Sequence, residues 1–186
     1  MSTQAMERGE DRSPDVERAA QRLRRPGARA SLFAKRSLDV VLATAMLVAL
    51  LPLLTIVFAL LVFSGGGGWI ETRHRLGRDG RSLVLSRFRE LPGGALGRWL
   101  ERVGARDLPL LYAVLCGRLS FVGPRAVEPS TGAGHTGPRR LMAPGLMGPA
   151  QRGCCGDDLD DVYVERWTLW LDALLLFGRC PKLDHQ

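Results

Sequence analysis

The sequence predicts an α+β protein in which a membrane-anchoring helix precedes a small, mainly helical domain with a short β-hairpin. Three patterns carry this prediction: an uncharged apolar stretch over residues 40–63, alternation on both sides of a turn at residues 77–80, and helical spacing of apolar residues over 95–103 and 167–175. The expected organisation is a disordered basic arm over residues 1–30, the anchoring helix over 31–64, a domain facing the cytoplasm over 65–180, and a tail over 181–186.

The first part of the chain is polar. Residues 1–30 are rich in Arg, Glu, Asp, Ser and Pro and show little apolar periodicity, which predicts a mostly disordered arm. Residues 16–25 have the composition of a short helix, although nothing in the sequence requires one. In residues 31–39 we expect Lys35 and Arg36 to extend toward headgroup phosphates at the membrane interface and to neutralise Asp39 at the membrane edge.

The apolar stretch over residues 40–63 is long enough to cross a hydrocarbon core of about 30 Å as a helix. Pro52 lies inside it, and a residue without an N–H group predicts a kink there. Both flanks are basic, and basic flanks favour the cytoplasmic side. A re-entrant helix that is broken at Pro52 satisfies both flanks, and a single span with a tolerated proline is the alternative.

A β-hairpin is predicted next. Alternation around Ile70, Thr72 and His74, a turn at residues 77–80 and a second alternating run over residues 82–88 form its two strands. The hairpin is rich in arginine, which indicates either a basic surface on anionic lipid or a binding site for phosphate groups. Because the planar guanidinium matches phosphate oxygens better than an ammonium does, we favour phosphate binding for some of these arginines.

Two helical segments follow the hairpin. Residues 95–103 place Leu96, Trp99, Leu100 and Val103 on one face of an amphipathic helix. Residues 108–116 form an apolar run that should pack inward, directly after a charged pair at residues 106 and 107.

The C-terminal part combines an acidic run with another apolar helix. The acidic residues at 157, 158, 160 and 161 are interpreted as a solvated cap at a helix N-terminus. Apolar residues then recur with helical spacing on one face, whereas Arg166 and Asp172 lie off that face. The residues of this face are Trp167, Trp170, Leu171, Leu174 and Leu175. Such a helix can rest on a membrane surface or close the core of the domain.

The net charge of +7 predicts an anionic partner. The membrane segment favours anionic lipid or a phosphorylated substrate. Nucleic acid is not expected, because the arginine-rich hairpin has no aromatic platform on which bases could stack.

A series of short motifs resembles the bacterial sugar transferase family, the monotopic polyprenyl-phosphate phosphoglycosyl transferases. The series begins with Lys35, Arg36, Asp39 and Pro52 and continues with RLGRDG (75–80), RFR (87–89), GRWL (97–100), LPLL (108–111), LSFVGPR (119–125), PGLMGPAQ (144–151), DDVY (160–163) and WTLWLD (167–172). The motifs occur in the order typical of that family and cover about residues 35–178.

The resemblance implies a reaction, a cofactor and a location. Members of this family transfer a sugar-1-phosphate from a nucleotide diphosphate sugar, commonly a UDP-sugar, to a polyprenyl phosphate, and so begin exopolysaccharide, capsule or glycan synthesis. They require Mg²⁺ and lie on the cytoplasmic face of the bacterial inner membrane. Homo-oligomers or partner glycosyltransferases are further partners that it implies. The phosphate-binding candidates are Arg75, Arg87, Arg89, Arg102 and Arg125.

One position departs from the family pattern. An aspartate that attacks phosphorus and a glutamate that helps hold Mg²⁺ precede Leu-Pro in the family, and here these positions hold Arg106 and Asp107. A protonated guanidinium cannot be a nucleophile, so Asp107 is the candidate for both the catalytic residue and the metal ligand. Glu90 is another acidic residue that could have taken over the missing role. The alternative is an inactive homologue that binds prenyl phosphate or nucleotide sugar, or scaffolds an active transferase.

Overall fold

The computed structural model describes residues 14–63, 69–90, 94–129, 137–149 and 159–179. Its helices are α1 (Pro14–Arg24), α2 (Pro26–Ala49), α3 (Leu51–Phe63), α4 (Ala95–Arg102), α5 (Leu108–Leu115), α6 (Leu159–Glu165) and α7 (Leu169–Leu176). Its strands are β1 (Ile70–Leu76), β2 (Ser82–Phe88), β3 (Ser120–Val122) and β4 (Gly145–Met147). The 3₁₀ turns are Arg78–Gly80, Ala105–Asp107 and Pro138–Leu141. The predicted α+β class, with more helix than strand, is confirmed.

The N-terminal segment is more ordered than the sequence predicts. A mostly disordered arm is wrong for residues 14–30, because α1 and the start of α2 occupy them, whereas the short helix left open at residues 16–25 is confirmed by α1. Residues 1–13 lie outside the described part of the chain. The first turn of α1 is acidic and its last turn basic, which suits the helix dipole. Val16 and Ala19 are buried, and Arg22 donates to the Glu165 carbonyl at the end of α6, so contacts with the domain hold the helix.

The apolar stretch is bent, as predicted, although the break precedes the proline. Helices α2 and α3 meet at Leu50 with a bend of 61°. Pro52 is the second residue of α3. Because it has no N–H group, it cannot donate the backbone hydrogen bond that would continue α2. Within the described residues no single helix meets the length and hydropathy needed to cross a bilayer, whereas α2 and α3 together do.

The predicted β-hairpin is confirmed. Strands β1 and β2 pair antiparallel in a register that sets Glu71 opposite Arg87 and Leu76 opposite Ser82. The turn between them holds Asp79 in the left-handed region at φ 55°, a conformation that aspartate tolerates better than most residues. The side chain of Leu83 is buried and fixes the hairpin on the core.

A second small sheet has no counterpart in the sequence prediction. Strands β3 and β4 pair in parallel, with Ser120 opposite Gly145. A Cβ atom at Gly145 would lie 2.1 Å from the backbone N of Gly123, so only glycine permits this close approach. The two strands are each three residues long, too short for alternation to reveal them.

The apolar run of α5 packs inward as predicted, since Leu108, Leu111 and Val114 are buried. Helix α4 forms at the predicted place, but its expected apolar face is not the buried one. Leu100 is buried, whereas Trp99 remains 49% exposed. Leu96 and Val103 are exposed as well, and the buried residues of the helix are Gly97 and Leu100.

The C-terminal helix α7 closes the core and also departs from the prediction. Thr168 caps it by accepting a hydrogen bond from the Leu171 N–H, so Trp167 precedes the helix instead of lying on its face. Leu171 and Leu175 are buried, but Trp170 is 72% exposed. The helix therefore buries a narrower face than the apolar spacing suggests.

A buried polar cluster joins α2 to this C-terminal region. Asp172, expected off the buried face, accepts hydrogen bonds from Lys35 Nζ at 2.5 Å, from Trp167 Nε1 at 3.1 Å and from the Tyr163 hydroxyl. Burial, together with the charge of Asp172, raises the pKa of Tyr163 well above its usual value, so that its hydroxyl stays protonated and donates.

Lys35 and Arg36 face the protein, so the prediction that they reach headgroup phosphates is wrong. Lys35 Nζ also donates to the Val122 carbonyl at 2.7 Å. Arg36 donates to the carbonyls of Val114 and Leu115 at 2.5 Å and 2.6 Å, at the negative end of the α5 dipole.

Asp39 is also buried in the protein, and the expected pairing with Lys35 and Arg36 is wrong. Its carboxylate accepts hydrogen bonds from Ser120 Oγ at 2.7 Å and from the Phe121 N–H at 3.1 Å. The side chain thereby fixes β3 against α2. Its role is architectural.

The acidic run is only partly visible, because residues 157 and 158 lie outside the described chain. For the other two aspartates a solvated cap is wrong. Asp160 is buried and accepts from the Arg125 N–H at 2.8 Å. Asp161 forms an ion pair of 2.5 Å with Arg139. Both carboxylates hold neighbouring loops on α6.

The cluster around Asp172 predicts a large loss of stability when its carboxylate is removed. In Asp172→Ala the ammonium of Lys35 loses its buried partner, and we expect the free energy of unfolding to fall by about 3 kcal/mol. Denaturant unfolding of the purified, detergent-embedded protein measures this change. The control Asp15→Ala removes an exposed pair with Arg18 and should cost less than about 1 kcal/mol. Equal losses in the two variants would contradict a structural role for the cluster.

Candidate active site

Asp107 lies where the chain turns from α4 into α5. Gly104 adopts φ +77°, a left-handed conformation that suits glycine, and its carbonyl accepts the Asp107 N–H at 3.0 Å. Asp107 is the residue that directly precedes α5, and its side chain remains 51% exposed. Its carboxylate oxygen Oδ1 lies 3.0 Å from Arg87 Nε. The predicted catalytic residue is thus accessible and contacts one of the predicted phosphate-binding arginines.

Arg106 lies against the hairpin. Its Nε donates to the Phe88 carbonyl at 3.2 Å, and its Nη2 lies 3.4 Å from Glu71 Oε2. The guanidinium therefore takes part in holding the turn before α5 on the end of β2. Position 106 therefore holds a cation with a structural contact.

Glu71 is the acidic residue at this site that the sequence analysis missed. It is paired in register with Arg87, so both side chains project from the same face of the hairpin. Arg73 Nε donates to Glu71 Oε1 at 2.9 Å. This hydrogen bond, with the charge of Arg73 and smaller effects of Arg106 and Arg87, lowers the pKa of Glu71. Counting the hairpin register from the turn would have set Glu71 opposite Arg87.

The cluster is a compact mixture of charges. Arg73, Arg87 and Arg106 surround the carboxylates of Asp107 and Glu71, which leaves one net positive charge. Exposed guanidinium groups at such a place can bind phosphate oxygens in a bidentate manner. The cluster can therefore receive an anionic substrate without displacing a buried group.

The two carboxylates also provide the oxygen donors that Mg²⁺ prefers. Within the described residues no group of three or more acidic, histidine or cysteine side chains is positioned to hold a metal. Because three arginines oppose a bare cation, a metal ion at this place requires a phosphate-bearing ligand that adds its negative charge. This requirement agrees with the usual coordination of Mg²⁺ by one or two carboxylates, substrate phosphates and water.

The other predicted arginines lie at several places. Arg75 pairs with Glu128 at 2.5 Å, and Arg125 is exposed with its backbone N–H on Asp160. Arg89 follows β2, and its N–H donates to the Trp69 carbonyl at 2.9 Å. Arg102 ends α4 and is exposed. Of the predicted set, Arg87 is the arginine that an observed ion pair joins to Asp107.

Comparison with known proteins agrees with the motif resemblance. The model of the bacterial sugar transferase family matches residues 30–183. The undecaprenyl-phosphate glucose phosphotransferase of Komagataeibacter xylinus is 30% identical over 193 residues, which cover 83% of this chain and 36% of that protein. The UDP-galactose-lipid carrier transferase of Erwinia amylovora is 28% identical, with 79% of this chain and 39% of that protein covered. The chain therefore spans little more than a third of the length of these two relatives.

A shorter relative is matched over most of its length. The exopolysaccharide production protein ExoY of Rhizobium meliloti is 27% identical over 193 residues, which cover 81% of this chain and 85% of that protein. This chain is thus similar to a protein of about its own length as well as to the two longer relatives.

The pKa of Glu71 provides a test of the cluster. Because Arg73 is the main cause of its lowered pKa, Arg73→Ala should raise the pKa of Glu71 back toward the ordinary glutamate value. Carboxyl carbon NMR on glutamate-labelled protein measures the titration, and Glu71→Gln assigns the signal. The control Arg166→Ala removes an exposed charge elsewhere and should leave the pKa unchanged. An unchanged pKa in Arg73→Ala would contradict the observed contact.

Proposed function

The chain belongs to the bacterial sugar transferase family, and we propose that it transfers a sugar-1-phosphate from a UDP-sugar to a polyprenyl phosphate. The names of its relatives support this proposal, since they specify undecaprenyl phosphate as the acceptor and glucose or galactose as the sugar. The product would be a diphosphate-linked sugar in the membrane, which is the start of an exopolysaccharide chain. The released product would be UMP.

One observation carries the catalytic part of the proposal: an exposed carboxylate, Asp107, lies 3.0 Å from Arg87 within a cluster of arginines. In the first step an oxygen of Asp107 attacks the phosphorus that carries the sugar. The bond from this phosphorus to the UMP oxygen breaks, and UMP leaves. In the second step an oxygen of the polyprenyl phosphate attacks the same phosphorus, and the Asp107 carboxylate is released.

The arginines have a defined part in this scheme. Negative charge is spread over the phosphoryl oxygens in the transition state, and fixed cations stabilise it there. Arg87 contacts the nucleophile and can also bind an oxygen of the transferred phosphate. Arg73 lowers the pKa of Glu71 and so keeps this carboxylate ionised opposite Arg87.

Mg²⁺ fits the proposal when it enters together with the nucleotide sugar. Asp107 and Glu71 are the residues that would hold it. The ion would supply charge neutralisation at the diphosphate. The protein itself would orient the donor through Arg87, and Arg73 would keep Glu71 deprotonated by lowering its pKa.

The proposed location is the cytoplasmic face of the bacterial inner membrane, with α2 and α3 as a re-entrant anchor. The bend of 61° and the basic flanks support a helix pair that enters and leaves on one side. Large apolar side chains along the pair are exposed, including Phe33 at 76%, Val41 at 63% and Phe63 at 88%. Such a surface is costly in water and is favourable in lipid.

A second candidate function is supported by Arg106. Arg106 occupies the position of the family's nucleophile, and its guanidinium lies 3.4 Å from the Glu71 carboxylate. A guanidinium can bind a phosphorylated ligand but cannot attack it, so the site can bind such a ligand without catalysing transfer. In this case the chain is a silent homologue that binds prenyl phosphate or nucleotide sugar, or that scaffolds an active transferase.

Release of UMP separates the two functions. The purified protein in nanodiscs is given undecaprenyl phosphate, Mg²⁺ and a panel of UDP-sugars. We expect the wild type to release UMP with at least one sugar, and Asp107→Ala to lower the rate by at least about a hundredfold, because the nucleophile is missing. Arg166→Ala is the matched control and should keep the wild-type rate.

Two results would contradict the transferase proposal. One is a wild type that is silent with every sugar; activity gained by Arg106→Asp would then support the silent homologue. The other is full activity in Asp107→Ala, which would exclude Asp107 as the nucleophile.

A further inference from the structure

A cavity of about 610 Å³ lies among α1, the first half of α2, the turn between β1 and β2, and the segment at residues 141–143. Its volume is in the range that holds a small organic ligand and exceeds what a bare phosphate ion fills. The charged side chains that line it are mostly cationic. They are Arg24, Arg29, Lys35, Arg36, Arg78, Asp39 and Asp79.

The charges in this cavity do not cancel. Asp39 is already bound to Ser120 and the Phe121 N–H. Asp79 lies 3.6 Å from Arg78 at the exposed turn. Arg36 donates to backbone carbonyls, which orient its guanidinium without neutralising it. Lys35 is neutralised by its ion pair with Asp172. The four remaining cations, all arginines, against two carboxylates leave an excess of positive charge that attracts an anion.

The floor of the cavity is rigid. Lys35 is held by Asp172 and the Val122 carbonyl, and Arg36 is held by the end of α5. The rim is formed by exposed arginines on three separate elements: Arg24 on α1, Arg29 on α2 and Arg78 on the hairpin turn. A ligand could therefore be bound at the rim without disrupting the floor.

This cavity is separate from the cluster around Asp107. Glu71, Arg87 and Asp107 do not line it, and its lining residues come largely from α1 and α2. Leu23, Leu32 and Leu141 form an apolar wall beside the cations. The combination of a basic rim and an apolar wall suits an anionic group that is attached to a less polar part.

We propose that this cavity is a second anion-binding site, which binds the phosphate group of a ligand through Arg24, Arg29 and Arg78. The guanidinium fork is suited to phosphate oxygens, and three such groups around one opening can share them. The phosphate can belong to an anionic lipid headgroup or to a soluble phosphorylated molecule. The chemistry of recognition is the same for both.

The test uses the full chain with Arg87→Ala and Asp107→Ala, so that binding at the Asp107 cluster does not contribute. One arm measures binding of inorganic pyrophosphate, by calorimetry, to this protein in phosphatidylcholine nanodiscs. The other arm measures binding of the protein in the same nanodiscs to vesicles that contain phosphatidylglycerol, without pyrophosphate. Binding in the first arm identifies a soluble phosphate, and binding in the second arm alone identifies a lipid headgroup.

Removing the rim arginines tests whether they bind the phosphate group. We expect Arg24→Ala with Arg29→Ala to weaken binding by roughly tenfold or more, since two charge-assisted contacts are lost. The control Arg18→Ala with Arg166→Ala removes the same charge outside the cavity and should leave the affinity unchanged.

Arg78→Ala provides a second variant, because Arg78 lies on the hairpin turn and its loss does not affect α1. It should also weaken binding. An affinity that is equal in the rim and control variants, or no binding in either arm, would overturn the proposal. Neither result depends on whether the protein transfers sugar, because the background variants already lack Asp107.

Discussion

The buried ion pair between Lys35 and Asp172 is the contact on which the rest of the structure depends. It joins the long helix α2 to the last helix, and Tyr163 and Trp167 complete the hydrogen bonds of the carboxylate. A charge pair in a core is stable only when its remaining polar atoms are also paired, which is the case here. Because α2 continues into the bent apolar segment, the pair also fixes the orientation of the proposed anchor relative to the domain.

The site at Asp107 follows from this framework. With α2 fixed, Arg36 holds the end of α5 through its carbonyls, and the start of α5 carries Asp107. The hairpin then brings Arg87 to this carboxylate and Glu71 to Arg106. The guanidinium of Arg106 is accommodated because an acidic partner, Glu71, is available on the hairpin. The Asp107 carboxylate is exposed, and Arg106 has a structural contact.

The sequence predicts the elements with strong local signals. The hairpin register, the inward packing of α5 and the break near Pro52 follow from alternation, apolar runs and the missing N–H group. Long-range polar contacts could not be predicted, because Lys35 and Asp172 are far apart in the chain and each has the pattern of a surface residue. The position of Glu71 opposite Arg87 was within reach of the hairpin register, whereas the ion pair of Arg87 with Asp107 required the three-dimensional structure, because it joins β2 to the residue before α5.

Covalent capture of the transferred group tests the role of Asp107 most directly. The protein in nanodiscs is incubated with UDP-sugars and Mg²⁺ without polyprenyl phosphate, then digested and analysed by mass spectrometry. The proposal predicts a sugar-phosphate on the peptide that contains Asp107, and its loss in Asp107→Ala. An unmodified peptide with every sugar that the protein binds, or a modification that persists in Asp107→Ala, would contradict it.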